Sequence, residues 1–98
     1  MVKYLCENEE IEFIKMLAQA LVSEGPCVAL LGNKSVQAQL ILAQSELLKF
    51  NLPELMKACC QLIEGKGGGT LNLVQGGGKN PHQLQAALDL AESRVASV

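Results

Sequence analysis

The sequence predicts a small α/β fold in which helices pack on a mixed β-sheet, with the elements in the order α-β-β-α-β-α. Two patterns point to this class. Apolar residues recur at helical spacing in three segments, and short apolar runs bounded by turn residues lie between those segments. The chain has 98 residues, of which 49 % are hydrophobic and 18 % are charged, and this composition suits one globular core. We therefore expect a single domain over residues 1–98.

The first helix is predicted to follow Asn8, which can cap its N-terminus. Its first turn is acidic, the sign of charge that stabilises a helix N-terminus. The acidic residues are Glu9, Glu10 and Glu12. Apolar residues at helical spacing form the predicted buried face, and they are Phe13, Ile14, Leu17, Ala20 and Leu21. Gly25 and Pro26 are typical of a helix end.

A β-hairpin is predicted after this helix. Two apolar runs, at residues 27–31 and 36–43, are joined by the polar segment 32–35, whose residue types favour a turn. Lys34 would then lie at the tip of the hairpin, where a solvated side chain is the simpler interpretation and a contact with a ligand is the alternative. Residues 45–50 are expected to form a connecting turn.

The second helix is predicted over residues 52–64. Asn51 and Glu54 have the spacing of a capping box, and Pro53 fits the first turn because its missing N–H does no harm there. Gly65 is expected to end the helix. The apolar residues at helical spacing form the predicted buried stripe, and they are Leu52, Leu55, Met56, Cys59, Leu62 and Ile63.

A third strand is predicted over residues 71–75, and a third helix from Pro81 onwards, with Asn80 as its N-cap. Because a helix connects the second and third strands, we expect these two strands to be parallel if they share a sheet. His82 falls in the exposed first turn, where a solvated side chain is a simpler interpretation than a catalytic one. The predicted inner stripe of this helix is Leu84, Ala87, Leu88, Ala91 and Val95.

Charge and cysteine content restrict the class of function. A formal net charge of −2 and a pI near 5.3 argue against a strongly electrostatic nucleic-acid binder, which needs many cationic contacts to phosphate. Cys6, Cys27, Cys59 and Cys60 form no C-x-x-C pair, so we expect reduced thiols in a reducing compartment and no metal site. No apolar run approaches the roughly 20 residues of a membrane span, and the first residues lack a signal-peptide pattern. We expect a soluble, intracellular protein that does not contact membranes.

Motifs for catalysis are missing from the sequence. It has no G-x-S-x-G nucleophile elbow and no H-E-x-x-H zinc motif. Residues 65–70 superficially resemble a phosphate-binding loop, but Lys66 precedes the glycines instead of following them, and a strand comes next where that loop has a helix. We therefore expect no nucleoside triphosphate, no cofactor and no catalytic activity from this chain by itself.

Two glycine triplets form the candidate functional site. The triplet 67–69 follows Lys66, and the triplet 76–78 lies between Gln75 and Lys79. Glycine allows backbone N–H groups to approach a flat partner such as a phosphate or a base, and the two lysines add positive charge. The alternative is that the glycines serve only tight turns and close strand packing.

The glycine and lysine run 65–69, followed after a short strand by Gln75-Gly76-Gly77, closely resembles the signature of the DHHA1 domain at the C-terminus of alanyl-tRNA synthetases. The resemblance extends to the helices on both sides and to the hairpin, and so covers essentially the whole chain. It implies an α/β domain that contacts the elbow of tRNA, where the D and T loops meet, and that supports aminoacylation and editing by other domains. The implied partners are alanine tRNA, the remaining synthetase domains and, through an adjoining helical segment in many members, a second copy. The parent chain would be an alanine–tRNA ligase, in the cytoplasm or in the mitochondrion.

The resemblance also implies which residues form the RNA-facing edge. Thr70 and Leu71 depart from the family pattern because many members place a basic residue there, and Val74 replaces the usual Ala. Lys34 is a weaker addition from the hairpin. The candidate RNA-binding residues, with the last two added from their chemistry, are Lys66, Gly67, Gly68, Gly69, Gln75, Gly76, Gly77, Gly78 and Lys79.

Two other interpretations of the same chain stay open. One is a protein-interaction or dimerisation module, which the acidic net charge and the amphipathic first helix favour. The other is the substrate-binding accessory domain of a DHH-type phosphoesterase, a family in which DHHA1 domains also occur. The second glycine motif of those enzymes typically carries a histidine that meets substrate phosphate, and neither triplet has a histidine here.

Overall fold

The structure is a computed structural model and describes residues 2–24, 27–45, 50–70 and 72–96. A helix follows the first strand, and each of the other two helices follows a pair of consecutive strands. In chain order they are β1 (Val2–Glu7), α1 (Ile11–Ser23), β2 (Val28–Lys34), β3 (Ala38–Gln44), α2 (Leu52–Leu62), β4 (Gly65–Gly69), β5 (Leu73–Gly78), a 3-10 turn (Pro81–Gln83) and α3 (Leu84–Ala96).

The strands form one mixed sheet in the order β1-β2-β3-β5-β4. β1 is parallel to β2, whereas the β2–β3, β3–β5 and β4–β5 pairs are antiparallel. The predicted α/β class, the mixed sheet, the β2–β3 hairpin and the presence of a parallel βαβ crossover are confirmed. The crossover, however, is β1-α1-β2, and its first strand was not predicted.

The predicted parallel pairing of the second and third strands is wrong, because β5 runs antiparallel to β3. The reason is β4, which lies between α2 and β5 in the chain and was predicted to be a loop. Since β3 and β4 are both antiparallel to β5, they run in the same direction. The helix α2 therefore does connect two strands of equal direction, and β5 is inserted between them.

Helices cover both faces of the sheet. Helix α1 packs mainly over β2 and β3 on one face, around Ile14, Ala18, Leu31 and Ile41. Helices α2 and α3 pack on the other face and enclose the larger core. Its fully buried large side chains are Leu30, Leu40, Leu42, Leu52, Met56, Ile63, Val74, Leu84 and Leu88. Because α1 lies over β2 and β3, its face of the sheet is left open towards β4.

Helix α1 begins later than predicted, and its buried face differs in part from the predicted one. Asn8 does not cap it; Asn8 has a φ of 55°, and Glu10 occupies the N-cap position without a side-chain hydrogen bond to the helix. Of the predicted face, Ile14 is buried, Leu17 and Leu21 are half-buried and pack against the core on this side of the sheet, and Phe13 and Ala20 are exposed. Ala18, which was not predicted, is buried. Gly25 and Pro26, the predicted helix end, lie outside the described residues.

The hairpin turn lies further along the chain than predicted. Strand β2 continues through residues 32–34, and the tip is formed by residues 35–37, where Val36 is 93 % exposed. Gly32 is buried within the strand, and a Cβ there would lie 3.1 Å from Leu88 Cδ1, so this glycine allows the close approach of α3. Of the predicted connecting turn, residues 46–49 lie outside the part of the chain that the structure describes.

Asn51 caps helix α2 as predicted, and Glu54 bonds back to the Asn51 side chain instead of to its backbone N–H as in a full capping box. The Glu54 backbone N–H donates to Asn51 Oδ1 at 3.3 Å, and Asn51 Nδ2 donates to Glu54 Oε2 at 3.1 Å. The predicted stripe is buried except for Leu62, which is half-buried. The helix ends at Leu62, and Glu64 takes the left-handed conformation, with a φ of 54°, so that Gly65 is free to begin β4.

The last part of the chain keeps the predicted order with shifted boundaries. The third predicted strand corresponds to β5, which starts at Leu73 and runs through the second glycine triplet, while Leu71 lies outside the described residues. Asn80 makes no side-chain cap, because a 3-10 turn precedes α3. The five residues of the predicted inner stripe are all buried, and His82 is exposed.

None of the helices in the described ranges has the length and apolar character needed to cross a bilayer. The same residues contain no group of three or more His, Cys, Asp or Glu side chains suited to a metal ion. The cysteines are reduced, with Cys59 and Cys60 buried and Cys6 and Cys27 half-buried.

Candidate functional site

The two glycine triplets face each other across one antiparallel ladder. Residues 65–69, predicted to be a loop, form the edge strand β4, which pairs with β5. In this ladder Lys66 lies opposite Gly77, Gly67 opposite Gly76, and Gly68 opposite Gln75. The predicted site residues that are distant in sequence are therefore adjacent in space.

Some of the glycines are required by packing. A Cβ on Gly67 would lie 2.8 Å from Met56 Cγ, and a Cβ on Gly76 would lie 2.8 Å from Cys60 Sγ. Real side chains do not approach so closely, so β4 and β5 can pack on α2 only without these Cβ atoms. A Cβ on Gly65, Gly69 or Gly78 would come at least as close to backbone atoms, so these three positions also require glycine.

Gly68 and Gly77 differ from the other glycines of the triplets. A Cβ on Gly68 would have no atom within 4 Å, and a Cβ on Gly77 would meet only Ala38 O, at an ordinary contact distance of 3.4 Å. Neither residue has a φ in the left-handed region. Internal packing and backbone conformation therefore do not explain why these two positions lack a side chain.

Gly68 and Gly77 lie at the surface of an open groove on the α1 face of the sheet. The groove has a volume of about 540 Å³. It lies where α1 no longer covers the sheet, between the N-terminus of that helix and the edge strand. The residues that line it are Ile11, Gln37, Gln39, Lys66, Gly67, Gly68, Gln75, Gly76 and Gly77.

A second, adjoining groove of about 430 Å³ lies at the end of the β4–β5 ladder. It shares Gln37, Lys66 and Gly77 with the first groove and adds Lys79. Lys66 and Lys79 are both exposed. The exposed ammonium groups of these two lysines therefore border one continuous surface.

One row of residues crosses the sheet beneath this surface. The registers place Asn33, Gln39, Gly77 and Lys66 directly opposite one another on β2, β3, β5 and β4. Directly opposed residues point to the same face of a sheet. Gly77 therefore leaves a gap between the side chains of Gln39 and Lys66.

Asn33 is the residue of this row on β2. Its side chain is fully buried, and Nδ2 donates to Glu9 O at 2.6 Å and to Gln39 Oε1 at 2.7 Å. Its Oδ1 accepts from the Glu9 backbone N–H at 3.1 Å. Asn33 was predicted to be a turn residue, but it ties β2 to the segment before α1 and to the groove.

The chemistry of the first groove is that of a binding surface. Its described lining residues offer one ammonium group, three side-chain amides and glycine backbone, and they include no carboxylate, histidine or cysteine. Such groups can bind phosphate, hydroxyl and carbonyl oxygens, but they supply no general acid or base near neutral pH.

The predicted site residues are not all equally placed. Gly69 ends β4, Gly78 is buried against Ile63, and Lys34 is half-buried at the end of β2 and lines neither groove. Gln37 and Gln39 were not predicted as site residues. Gln37 directly precedes β3, and Gln39 lies on it. Their polar character was visible in the sequence, but their position beside the glycines depends on the β3–β5 register.

Comparisons with known proteins are consistent with this geometry. The family model described as DHHA1 domain matches residues 2–97. Alanine–tRNA ligase of Methanoregula boonei is 34 % identical over 74 residues, which cover 76 % of this chain and 8 % of that protein. Alanine–tRNA ligase of Lactobacillus delbrueckii subsp. bulgaricus is 37 % identical over 87 residues, which cover 84 % of this chain and 10 % of that protein. The chain thus spans a tenth or less of the length of these two relatives.

A solved structure shows the same fold. The C-Ala domain from Aquifex aeolicus alanyl-tRNA synthetase superposes with a TM-score of 0.86 at 25 % identity, covering 94 % of this chain and 87 % of that one. The resemblance inferred from the glycine motifs is therefore confirmed. The chain belongs to the DHHA1 domain family.

Proposed function

We propose that this chain is the C-Ala domain of an alanyl-tRNA synthetase and that it binds the elbow of alanine tRNA along the two grooves beside β4. It acts as an accessory to aminoacylation and editing, which other parts of a cytoplasmic ligase perform. Residues 1–98 form one module in this proposal, and the nine candidate residues from Lys66 to Lys79 lie on or next to its RNA-facing edge.

The observation that carries the proposal is the pair Gly68 and Gly77. Both positions have room for a side chain, and yet both leave the groove open beside the exposed Lys66. A bare backbone surface admits a bulky ligand such as the sugar–phosphate backbone of folded RNA. RNA of defined shape is recognised mainly through phosphate and 2′-hydroxyl contacts, for which ammonium and amide groups are suitable partners.

The acidic net charge restricts how the RNA is bound. With two lysines at the grooves, few phosphates are neutralised, so the salt dependence of affinity should be much weaker than for proteins that make six to ten phosphate contacts. Affinity must then come from shape and hydrogen bonds. This matches recognition of the tRNA elbow, a compact and distinctive shape, more than recognition of a generic duplex.

A fluorescence anisotropy titration tests the proposal. Labelled alanine tRNA is titrated with the domain at two salt concentrations, with duplex DNA and a tRNA lacking its elbow as controls. We expect binding that requires the elbow, and we expect Lys66→Glu combined with Lys79→Glu to weaken it by at least tenfold. Lys57→Glu, a charge reversal on the exposed side of α2, is the matched control and should leave affinity unchanged. Equal binding by the folded double variant would overturn the proposed site.

One observation favours a second function, a protein-interaction or dimerisation surface. Helix α1 exposes two large apolar side chains one turn apart, Phe13 at 50 % and Met16 at 68 %. A second copy or another synthetase domain could cover them. Sedimentation of the domain with and without Phe13→Glu tests this, since a concentration-dependent dimer that the substitution abolishes would support it, and a monomer at all concentrations would exclude self-association.

A further inference from the structure

We propose that Asn33 is a positioning residue that orients the Gln39 amide, so that Gln39 presents an N–H donor to a phosphate oxygen of RNA in the gap above Gly77. This inference rests on the proposed RNA-binding function and names the chemistry of one subsite within it.

The Glu9 peptide groups fix the orientation of the Asn33 amide. Glu9 N–H can only donate, and it meets Asn33 Oδ1; Glu9 C=O can only accept, and it meets Asn33 Nδ2. A flipped Asn33 amide would place its NH2 group against the Glu9 N–H, donor against donor, and its oxygen against the Glu9 carbonyl, acceptor against acceptor. Since Asn33 is fully buried, no water replaces the lost bonds, so one orientation is strongly favoured.

The second hydrogen of Asn33 Nδ2 then fixes Gln39. It is donated to Gln39 Oε1 at 2.7 Å, so the amide oxygen of Gln39 is engaged and its Nε2 group remains as the available donor. Gln39 is half-buried and lines the groove. The Glu9 peptide groups therefore determine the orientation of the Asn33 amide, and the Asn33 amide determines the orientation of the Gln39 amide.

The partner of this donor follows from the row across the sheet. Gln39 and Lys66 lie on either side of Gly77, two strand spacings or roughly 10 Å apart. Both flanking groups are donors, and the ammonium group cannot accept. An acceptor oxygen satisfies both sides, whereas a base amino group would meet donors on each side. Among the acceptor oxygens of RNA, the phosphate oxygens carry the negative charge that the Lys66 ammonium group favours, and we therefore assign a backbone phosphate to the gap.

Substitutions at Gln39 test the subsite by tRNA anisotropy. Gln39→Met keeps the size and removes the donor, and we expect about a tenfold loss of affinity, the effect of one hydrogen bond to a charged group. Gln39→Glu replaces the donor by an acceptor with charge and should weaken binding further. Gln85→Met, an exposed glutamine on α3, is the matched control and should bind as the wild type does. Unchanged affinity in Gln39→Met would overturn the subsite.

A double-mutant cycle tests the positioning role. If Asn33 acts through Gln39, then Asn33→Ala weakens binding in the wild-type background and has no further effect when Gln39 is already Met. Additive losses would overturn the role. Asn33→Ala removes the hydrogen-bond partner of the Glu9 backbone and of Gln39 and can unfold the domain. A second measurement therefore uses the wild-type protein and NMR. The Gln39 side-chain amide resonances should shift when tRNA is added, while a Gln39 amide that does not respond would contradict the proposal.

The outcomes separate this inference from the function on which it rests. A wild type that binds the elbow, loses affinity with Lys66→Glu and tolerates Gln39→Met would overturn the subsite and leave the RNA-binding function standing. A wild type that binds no tRNA at high micromolar concentration would overturn both.

Discussion

Lys66 lies directly opposite Gly77 in the β4–β5 ladder, so an exposed cation at the sheet edge stands next to a position that has no side chain. On the other side of Gly77 in the same row is Gln39, which lies on β3. This arrangement places charge, a hydrogen-bonding amide and free space within one row of the sheet. In the proposed RNA-binding function, this row of residues contacts the RNA.

Filling the gap should reduce RNA binding without loss of stability. Gly77→Ala followed by Gly77→Val adds side-chain bulk between Gln39 and Lys66, and we expect tRNA affinity to fall in two steps, by at least tenfold for valine. Stability to urea should stay the same or rise, because valine favours extended strands and Cβ has space here. Anisotropy and urea titrations measure the two effects. Full affinity in the valine variant would show that RNA does not enter the gap.

Two glycines should respond oppositely to the same substitution. Gly76→Ala forces a Cβ to within 2.8 Å of Met56 Sδ and Cys60 Sγ and should cost about 1–3 kcal/mol through overpacking. Gly68→Ala, on the groove side, should be neutral or stabilise the domain by up to about 1 kcal/mol, because the unfolded chain loses freedom. Urea unfolding of both variants decides the matter. Equal destabilisation would contradict the division of the glycines into packing and groove positions.

The cap of α2 should contribute measurably to stability. Asn51→Ala removes the acceptor of the Glu54 backbone N–H and should lower the free energy of unfolding by about 0.5–2 kcal/mol. Asn51→Ser keeps an acceptor oxygen at this position without placing a second carboxylate beside Glu54, and it is the matched control, with stability close to that of the wild type. If alanine and serine behave alike, the capping bond contributes nothing measurable.

Stability should fall at alkaline pH because buried and half-buried thiols ionise more readily when the chain unfolds, and Cys59 has the largest pKa shift among them. Burial, with a smaller effect of the adjacent Cys60, raises the pKa of Cys59 from 9.0 to about 11, although Arg94 lowers it somewhat. Unfolding exposes the thiol and lets it ionise near pH 9. The contribution is therefore fully present below pH 9 and declines as the pH rises towards 11. Urea unfolding of the wild type and of Cys59→Ala across this range checks the sign: the variant should show the shallower decline, and identical slopes would contradict it.

The helices α2 and α3 could be predicted from sequence because their signals are local. The spacing from Leu84 to Val95 marks one helix face without reference to other elements, and the Asn51–Glu54 cap lies within four residues. In α1 the helical period correctly predicts Ile14, Leu17 and Leu21 on the sheet side, but it misplaces Phe13, which is exposed. Phe13 is more hydrophobic than Ala18, yet Ala18 is the residue that packs on the sheet, because small residues let a helix approach closely.

Strand β4 could not be predicted in the same way. Strand signals come from side chains that alternate between two faces, and a strand made of four glycines and Lys66 carries almost none. Its existence depends on pairing with β5 and packing on α2, which are distant contacts. Missing β4 also caused the error in the direction of β5.

The candidate site was found in part because glycine clusters are visible in any sequence. What the sequence could not separate were the glycines needed for packing and the two that leave the groove open, since that depends on which face each residue occupies. Gln39 and Asn33 were missed for a related reason. Their role depends on the hairpin register, and a shift of the turn from 32–35 to 35–37 moved Asn33 from a turn into the core.

The most direct test of the account is to map the RNA-binding surface by NMR. Backbone amide shifts of the ¹⁵N-labelled domain are followed while alanine tRNA is added, with elbow-deleted tRNA as the control. If RNA binds along β4 and its neighbouring strands, the largest changes fall at residues 66–68 and 75–77 and at Gln39, α2 and α3 change little, and the control causes no such pattern. Changes concentrated on α2 and α3, or equal changes with the elbow-deleted tRNA, would contradict it.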